Sequence, residues 1–146
     1  MYKVVVVDDE KRVRNGIVHG TDWSGINCMV AGEAADGEEG ILAARKYHPD
    51  VIVTDVCMPK MDGIEMLKRL REEGSDAVVI FLTAYDEFRY AQQAVKLGAA
   101  DYLLKPFEDG ALEEAVSKIL AKKKKKAEPE KEAELSLKKG DKSKYI

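Results

Sequence analysis

Short apolar runs alternate with longer segments whose apolar residues recur at helical spacing, and the alternation repeats five times along the chain. The apolar runs predict strands over residues 2–7, 28–35, 51–53, 77–82 and 101–104. The periodic segments predict helices over residues 11–18, 38–47, 64–72, 87–97 and 111–120, with Gly98 closing the fourth. Strands that alternate with helices of this kind form βαβ units with right-handed crossovers. The pattern therefore predicts an α/β fold, in which one parallel sheet lies between two layers of helices.

The periodicity also predicts which helix positions face the core. In the second helix these are Ile41, Leu42 and Ala44. In the third they are Ile64, Met66, Leu67 and Leu70. Trp23 lies in a turn-rich segment and is predicted to be a hydrophobic cap on the core rather than a ligand contact.

The third strand, Val51-Ile52-Val53, is apolar at every position and is predicted to be buried on both faces. Asp55 follows it, at the carboxyl end of the strand. In an open parallel sheet these strand ends line the ligand crevice, so an acidic residue there is well placed for chemistry. The alternative interpretation is an aspartate that only begins a turn.

Polar side chains follow the other strands at the same end. Asp8 and Asp9 come after the first strand, Thr83 after the fourth and Lys105 after the fifth. Three carboxylates in one crevice repel one another, and a hard divalent cation such as Mg²⁺ relieves that repulsion. A lysine and a hydroxyl beside such a cluster are suited to holding phosphoryl oxygens.

Composition limits the class of protein. The chain has 146 residues, 45% of them hydrophobic, which is enough for the core of one domain. No apolar run approaches the roughly 20 residues that span a bilayer, and the first residues enter a strand rather than a signal peptide, so a cytoplasmic location is expected. Cys28 and Cys57 have no paired spacing, which indicates neither a disulfide framework nor a zinc site.

Charge divides the sequence into two parts. Residues 122–146 carry ten lysines and five acidic residues, whereas residues 1–121 have a net charge of −8. The acidic part is a poor candidate for nonspecific nucleic-acid binding. The lysine run at 122–126 could contact DNA or a membrane, but it is more simply the solvated end of the last helix. We therefore predict a domain over residues 1–121 and a charged tail or linker over 122–146.

Four motifs together resemble the receiver domain of a two-component response regulator, over residues 1–121. They are Val-Val-Asp-Asp-Glu at 6–10, Asp-Val-Cys-Met-Pro-Lys-Met-Asp-Gly at 55–63, Leu-Thr-Ala at 82–84 and Asp-Tyr-Leu-Leu-Lys-Pro-Phe at 101–107. Asp22-Trp23 and the segment 84–88 are most similar to receivers joined to AraC-type helix-turn-helix output domains. The resemblance implies a doubly wound (βα)5 flavodoxin-like sheet with strand order 2-1-3-4-5.

The resemblance also implies a chemistry for the crevice. Asp55 would accept a phosphoryl group from the phosphohistidine of a sensor histidine kinase. Asp9, Asp55 and the backbone carbonyl of Cys57 would bind Mg²⁺ directly, and Asp8 would bind it through a water. Lys105 would pair with a phosphoryl oxygen, aimed by a cis peptide bond to Pro106. Such a protein is a signalling phosphoacceptor, which catalyses only its own phosphotransfer and autodephosphorylation.

An output switch is implied as well. Thr83 would move to hydrogen-bond the phosphoryl group and let the ring of Tyr102 turn inward, altering the face made by the fourth helix, fifth strand and fifth helix. A plainer interpretation makes Thr83 a β-branched strand residue and Tyr102 a rim aromatic. We further hypothesise that the Tyr85 ring hinders the hydrolytic water, and that phosphorylation produces a homodimer through the face of the fourth helix and fifth strand. His19 and His48 are predicted to face solvent rather than to take part in catalysis.

Three other functions fit parts of the pattern. A haloacid-dehalogenase-like phosphatase would need a second aspartate two residues after Asp55, where this chain has Cys57. A flavodoxin-like binding module would need a phosphate-binding loop after the first strand, where Asp8-Asp9-Glu10 would repel phosphate. A degenerate receiver would bind partners without phosphorylation.

The four motifs do not identify the output domain. An AraC-type DNA-binding module needs on the order of 100 further residues. The alternatives are a piece of a longer transcriptional regulator, which would reach DNA through that output domain, and a stand-alone receiver that acts through protein contacts.

Overall fold

The computed structural model describes residues 1–84, 88–96 and 98–123. The strands are β1 (Tyr2–Val7), β2 (Cys28–Ala34), β3 (Val51–Asp55), β4 (Val78–Thr83) and β5 (Asp101–Leu104). The helices are α1 (Lys11–Gly20), α2 (Gly37–Tyr47), α3 (Gly63–Glu72), α4 (Phe88–Lys96) and α5 (111–123). A short 3-10 helix over Ser24–Ile26 precedes β2. All ten predicted elements are present, and within the described residues their ends lie within three residues of the predicted ones.

The chain divides into two compact units, residues 1–116 and residues 117–146. The first contains the whole sheet, helices α1 to α4 and the start of α5. In the second, the described residues 117–123 are helical. The proposed boundary between a receiver over 1–121 and a tail over 122–146 stays a prediction, since residues 124–146 lie outside the described part of the chain.

The five strands form one parallel sheet in the order β2-β1-β3-β4-β5, as predicted. Strand β3 is central, with Val53 between Val6 of β1 and Ile80 of β4. The β1–β2 pairing shifts its register between Val4 and Val5. Because all the strands point the same way, their carboxyl ends lie along one edge of the sheet.

The core is built on the three inner strands. Residues Val4 to Val7 of β1 and Val51 to Val53 of β3 are at most 1% exposed, so β3 is buried on both faces as its sequence predicts. On one face, Ile41 of α2 and Met66 and Leu67 of α3 pack with Phe81 of β4. Burial of large apolar side chains is worth about 1.5–3 kcal/mol each, which makes these strands the rigid support of the edge beyond them.

One prediction about the core-facing residues of helix α2 is wrong. Leu42 was expected to face the core, but it is 59% exposed, and Ala43 is buried in its stead. The helix packs so closely that a Cβ at Gly40 would be 2.5 Å from the sulfur of Met66 in α3 and 3.4 Å from Cγ2 of Val7 in β1. Small residues therefore fill the contact, and Leu42, about 100° around the helix from Ile41, faces solvent. In α3, Ile64 is only partly buried, although it packs against the same core.

Other predictions about single residues are confirmed. Trp23 is buried, and its indole nitrogen donates to the carbonyl of Ile17 at 3.3 Å. His19 and His48 are exposed. Among the described residues, no helix combines the length and apolar character needed to cross a membrane.

Candidate functional site

The candidate site lies at the carboxyl edge of the sheet. Asp8 and Asp9 follow β1, Asp55 ends β3, Thr83 ends β4 and Lys105 follows β5. These are the polar residues that the sequence predicts for one crevice. The parallel topology brings them to the same edge because four different strands end there.

Three carboxylates form the centre of the site. One oxygen from each of Asp8, Asp9 and Asp55 lies within 4.8 Å of the others. Asp8 is 1% exposed, Asp55 is half-buried and Asp9 is exposed. All three offer oxygen atoms, which hard divalent cations prefer, and an exposed member leaves a route for an ion to enter. The donor set therefore fits a divalent cation such as Mg²⁺.

Lys105 places a positive charge against this cluster. Its Nζ is 3.4 Å from Oδ2 of Asp8 and 3.9 Å from Oδ1 of Asp55. The side chain is 27% exposed, so water screens the charge only in part. The peptide bond between Lys105 and Pro106 is cis, as the resemblance implied. The backbone N–H of Lys105 donates to the Thr83 carbonyl at 2.8 Å, which ties the residue to the end of β4.

Thr83 and Tyr102 lie on the neighbouring strands β4 and β5. Thr83 is fully buried, and its hydroxyl donates to the carbonyl of Ala84 at 3.2 Å. Tyr102 is half-buried, pairs with Phe81 across the strands and packs against the core. The structure thus puts Thr83 at the carboxyl edge and Tyr102 two pairs earlier in the β4–β5 ladder.

Residues 4–117 of the chain match the family model described as the response regulator receiver domain. The chain is a response regulator receiver domain. This confirms the predicted family and its flavodoxin-like fold, and it makes the molecule a signalling protein.

Solved structures of other receiver domains superpose well on this one. The receiver domain of AraT, a response regulator from Geobacillus stearothermophilus, is 42% identical with a TM-score of 0.79, over 86% of this chain and 97% of that one. A two-component transcriptional regulator AraC from Clostridium phytofermentans is 32% identical with a TM-score of 0.73, over 83% and 94%. The predicted similarity to receivers of AraC-type regulators is confirmed.

Among curated proteins, the transcriptional regulatory protein YesN of Bacillus subtilis is 32% identical over 121 residues, which is 83% of this chain and 33% of YesN. This receiver domain spans 33% to 47% of the length of several transcriptional and response regulatory proteins that it matches. It spans 98% of the length of one shorter relative.

The loop between β3 and α3, residues 56–62, carries Cys57, which is exposed. At its start, the backbone N–H of Val56 donates to Oδ1 of Asp55 at 2.8 Å. At its end, the N–H of Gly63 donates to the carbonyl of Val56 at 2.8 Å. The loop therefore leaves Asp55 and returns to within one residue of it. Tyr85, the residue that we expect to hinder hydrolysis, lies outside the described residues.

The sequence did not predict the role of Arg14 in the receiver site. Its guanidinium donates to the backbone carbonyl of Asp8 at 2.6 Å and to Oε1 of Glu33 at 3.1 Å. With 15% of its side chain exposed, Arg14 ties the start of the β1–α1 connection to Glu33 of β2. The only signal in the sequence is a basic residue in the helix that follows the acidic pair.

Proposed function

We propose that this receiver domain accepts a phosphoryl group on Asp55 from a phosphohistidine of a partner sensor histidine kinase. The observation that carries the proposal is the arrangement of charged side chains around Asp55. Its Oδ1 is 3.9 Å from the Nζ of Lys105, and its carboxylate lies in a cluster with Asp8 and Asp9. An anionic nucleophile beside a cation and a metal-binding carboxylate pair is suited to receiving an anionic group.

In the proposed transfer, a carboxylate oxygen of Asp55 forms a bond to phosphorus as the bond from phosphorus to the histidine nitrogen breaks. The electron pair of that bond returns to the imidazole of the kinase, and an aspartyl phosphate remains. The attacking group is a carboxylate oxygen, so the transfer requires no protein base to remove a proton from a hydroxyl or thiol. The transition state is loose, so positioning and charge neutralisation supply most of the catalysis.

We assign the metal ligands to Asp9, the Asp55 carboxylate and the backbone carbonyl of Cys57, with Asp8 acting through a water. Bound Mg²⁺ would neutralise part of the charge on the phosphoryl oxygens. Asp8 has a second task, because Oδ1 accepts from the Glu10 N–H at 2.9 Å while Oδ2 faces Lys105. It thereby holds the lysine at the rim of the cluster.

Lys105 is proposed to bind a phosphoryl oxygen. Its Nζ already stands between Asp8 and Asp55, so a short movement towards Asp55 replaces one anionic partner with another. We also propose Thr83 as the hydroxyl that detects the phosphoryl group. It lies at the same edge, and a rotation of its side chain would release the Ala84 carbonyl to which it donates.

The output we propose is a population shift. The aspartyl phosphate favours the arrangement in which Thr83 contacts it and Tyr102 turns inward, and this alters the surface of α4, β5 and α5.

We propose that residues 122–146 form a linker towards an output domain of a cytoplasmic transcriptional regulator, that DNA is contacted only by that domain, and that phosphorylation favours a homodimer. The support for a transcriptional output is the sequence identity of this chain with AraC-type and other transcriptional regulators.

The first experiment is the intact mass of the protein after incubation with acetyl phosphate. We expect the mass of one phosphoryl group to be gained with Mg²⁺ present and to be lost when a chelator removes the metal. The reason is that three carboxylates and an incoming phosphate repel one another without a cation. No gain with Mg²⁺, from either acetyl phosphate or a phosphorylated kinase, would refute the proposed function.

A second prediction separates the switch from the acceptor. Thr83→Ala should still gain the phosphoryl group, because Asp55, Lys105 and the acidic cluster remain. Its Tyr102 ring signals in NMR should stay unchanged on phosphorylation, since no hydroxyl at position 83 is left to be drawn away. Thr83→Ser keeps the hydroxyl and should restore the shift of the Tyr102 signals. A full response of Tyr102 in Thr83→Ala would assign the switch to other residues.

A further inference from the structure

The β3–α3 loop is held from outside as well as by its own ends. It carries Cys57, whose carbonyl is one of the proposed metal ligands, and it begins directly after Asp55. The position of this loop therefore decides whether the carbonyl and the carboxylates can share one ion. Two contacts fix that position, one that joins the end of the loop to its start and one from helix α2.

The contact that joins the end of the loop to its start is at Gly63, the first residue of α3. Besides the hydrogen bond from its N–H to Val56, a Cβ at this position would be 2.5 Å from the Asp55 carbonyl and 2.7 Å from the ring of Phe81. Only glycine permits the chain to return so close to the acceptor. The two ends of the loop are consequently fixed to each other.

The contact from outside comes from the first residue of α2. The N–H of Gly37 donates to the carbonyl of Met61 at 2.9 Å. A Cβ at Gly37 would be 2.7 Å from that oxygen, 2.8 Å from Cγ of Met61 and 3.0 Å from the carbonyl of Asp62. Met61 is 9% exposed and belongs to the core, so it has little space into which it could move.

Asp36 strengthens the same contact. Its buried carboxylate accepts from the N–H of Glu39 at 2.9 Å and so begins α2. The other carboxylate oxygen is 3.9 Å from Nζ of Lys60, which belongs to the loop and has a φ of +66°. The start of α2 thus contacts two adjacent loop residues, Lys60 and Met61.

We propose that Gly37, assisted by Asp36, is a positioning residue for the phosphoacceptor site. Helix α2 contributes no group to the carboxylate cluster, yet through Met61 it sets the place of the loop that carries the Cys57 carbonyl. The proposal rests on the proposed function, since it assumes that the cluster and this carbonyl hold one Mg²⁺. Residues that orient metal ligands commonly change metal affinity by 10–100-fold when altered.

The test is Gly37→Ala, measured by calorimetric titration with Mg²⁺ and by amide hydrogen exchange without metal. We expect Mg²⁺ affinity to fall by about tenfold, because the new methyl group displaces Met61 and the loop. In the metal-free protein, we expect the Gly63 amide to exchange faster, since its acceptor Val56 belongs to the displaced loop. Circular dichroism should show the helices of the wild type.

Two controls separate positioning from general loss of stability. Gly16→Ala adds a methyl group in α1, where nothing lies within 4 Å, and should leave Mg²⁺ affinity unchanged. Leu70→Ala removes a core side chain that lines a cavity with Pro49 and Asp76, at the amino edge of the sheet. It should lower the melting temperature but keep the Mg²⁺ affinity of the wild type. Equal affinities for Gly37→Ala and Leu70→Ala would overturn the proposal.

A second variant covers the case in which Gly37→Ala does not fold. Asp36→Asn keeps an oxygen for the Glu39 N–H but removes the ion pair with Lys60. We expect it to weaken Mg²⁺ binding by about threefold, a small effect because Lys60 is largely exposed. An unchanged affinity in Asp36→Asn, with unchanged Gly63 exchange, would likewise overturn the proposal.

The two proposals can fail separately. A wild-type protein that binds no Mg²⁺ would contradict the proposed function. In that case the exchange of the Gly63 amide still tests whether Gly37 positions the loop, because that measurement uses no metal. A wild type that binds Mg²⁺, with variants that bind equally well, would contradict only the role of Gly37.

Discussion

Asp55→Asn should gain no phosphoryl group from acetyl phosphate or from a phosphorylated kinase, whereas the wild type gains one. An amide oxygen is too weak a nucleophile to form the bond to phosphorus. Asparagine has the shape of aspartate, and its side-chain oxygen can still accept from the Val56 N–H. The fold should therefore survive, and the loss should lie in the chemistry. Intact mass measures the gain of the phosphoryl group, and thermal unfolding of both proteins checks that the variant is folded.

The matched control is Asp109→Asn. Asp109 is an exposed acid before α5 that lies outside the carboxylate cluster, so its loss should leave the mass gain unchanged. If Asp55→Asn gained the phosphoryl group at the rate of the wild type, the acceptor would be another residue. Asp9 would then be the first to examine, because it is the exposed member of the cluster.

Asp9→Asn should make the metal-free protein more stable and should remove most of its stabilisation by Mg²⁺. Three carboxylates within 4.8 Å repel one another, and relieving that repulsion is worth about 1 kcal/mol when one of them is exposed to water. A ligand at one hundred times its dissociation constant stabilises a fold by about 2.7 kcal/mol. Mg²⁺ should therefore raise the free energy of unfolding of the wild type far more than that of the variant.

Urea unfolding followed by the fluorescence of Trp23, the single tryptophan, measures both effects at a series of Mg²⁺ concentrations. Glu10→Gln is the control, because Glu10 is an exposed acid next to Asp9 in sequence and is outside the cluster. It should respond to Mg²⁺ as the wild type does. An Asp9→Asn protein that is stabilised by Mg²⁺ as strongly as the wild type would remove Asp9 from the ligand set.

Much of the site was predictable because residues at the carboxyl ends of parallel strands lie near one another, however far apart they are in the sequence. Asp8, Asp55 and Lys105 are far apart in sequence, yet each lies at the carboxyl end of a strand of one parallel sheet. Once alternating strands and helices are recognised, the carboxyl ends must share an edge. The residue types at that edge then indicate phosphoryl chemistry without any knowledge of side-chain positions.

The parts that sequence did not predict depend on close packing between elements. Helical periodicity assigns an apolar face but does not decide between the neighbours Leu42 and Ala43, since that depends on how near α2 lies to Met66. The bond from Arg14 to the Asp8 carbonyl depends on the orientation of α1 over β1. The contact of Gly37 with Met61 joins residues from different βα units, and a turn-forming Asp-Gly pair predicts only the start of a helix.

The exposure of Cys57 has a practical consequence for labelling. Neither cysteine forms a disulfide, and burial raises the pKa of the Cys28 thiol, with the charge of Asp50 adding to the shift. The thiolate is the nucleophile that reacts with thiol reagents, so the exposed Cys57 should be modified well before the buried Cys28. A dye attached there would stand two residues from the acceptor and obstruct the kinase. Cys57 should therefore be replaced before a spectroscopic probe is attached elsewhere in this protein. In the unsubstituted protein, a lower reactivity of Cys57 towards thiol reagents would report that a partner covers the site.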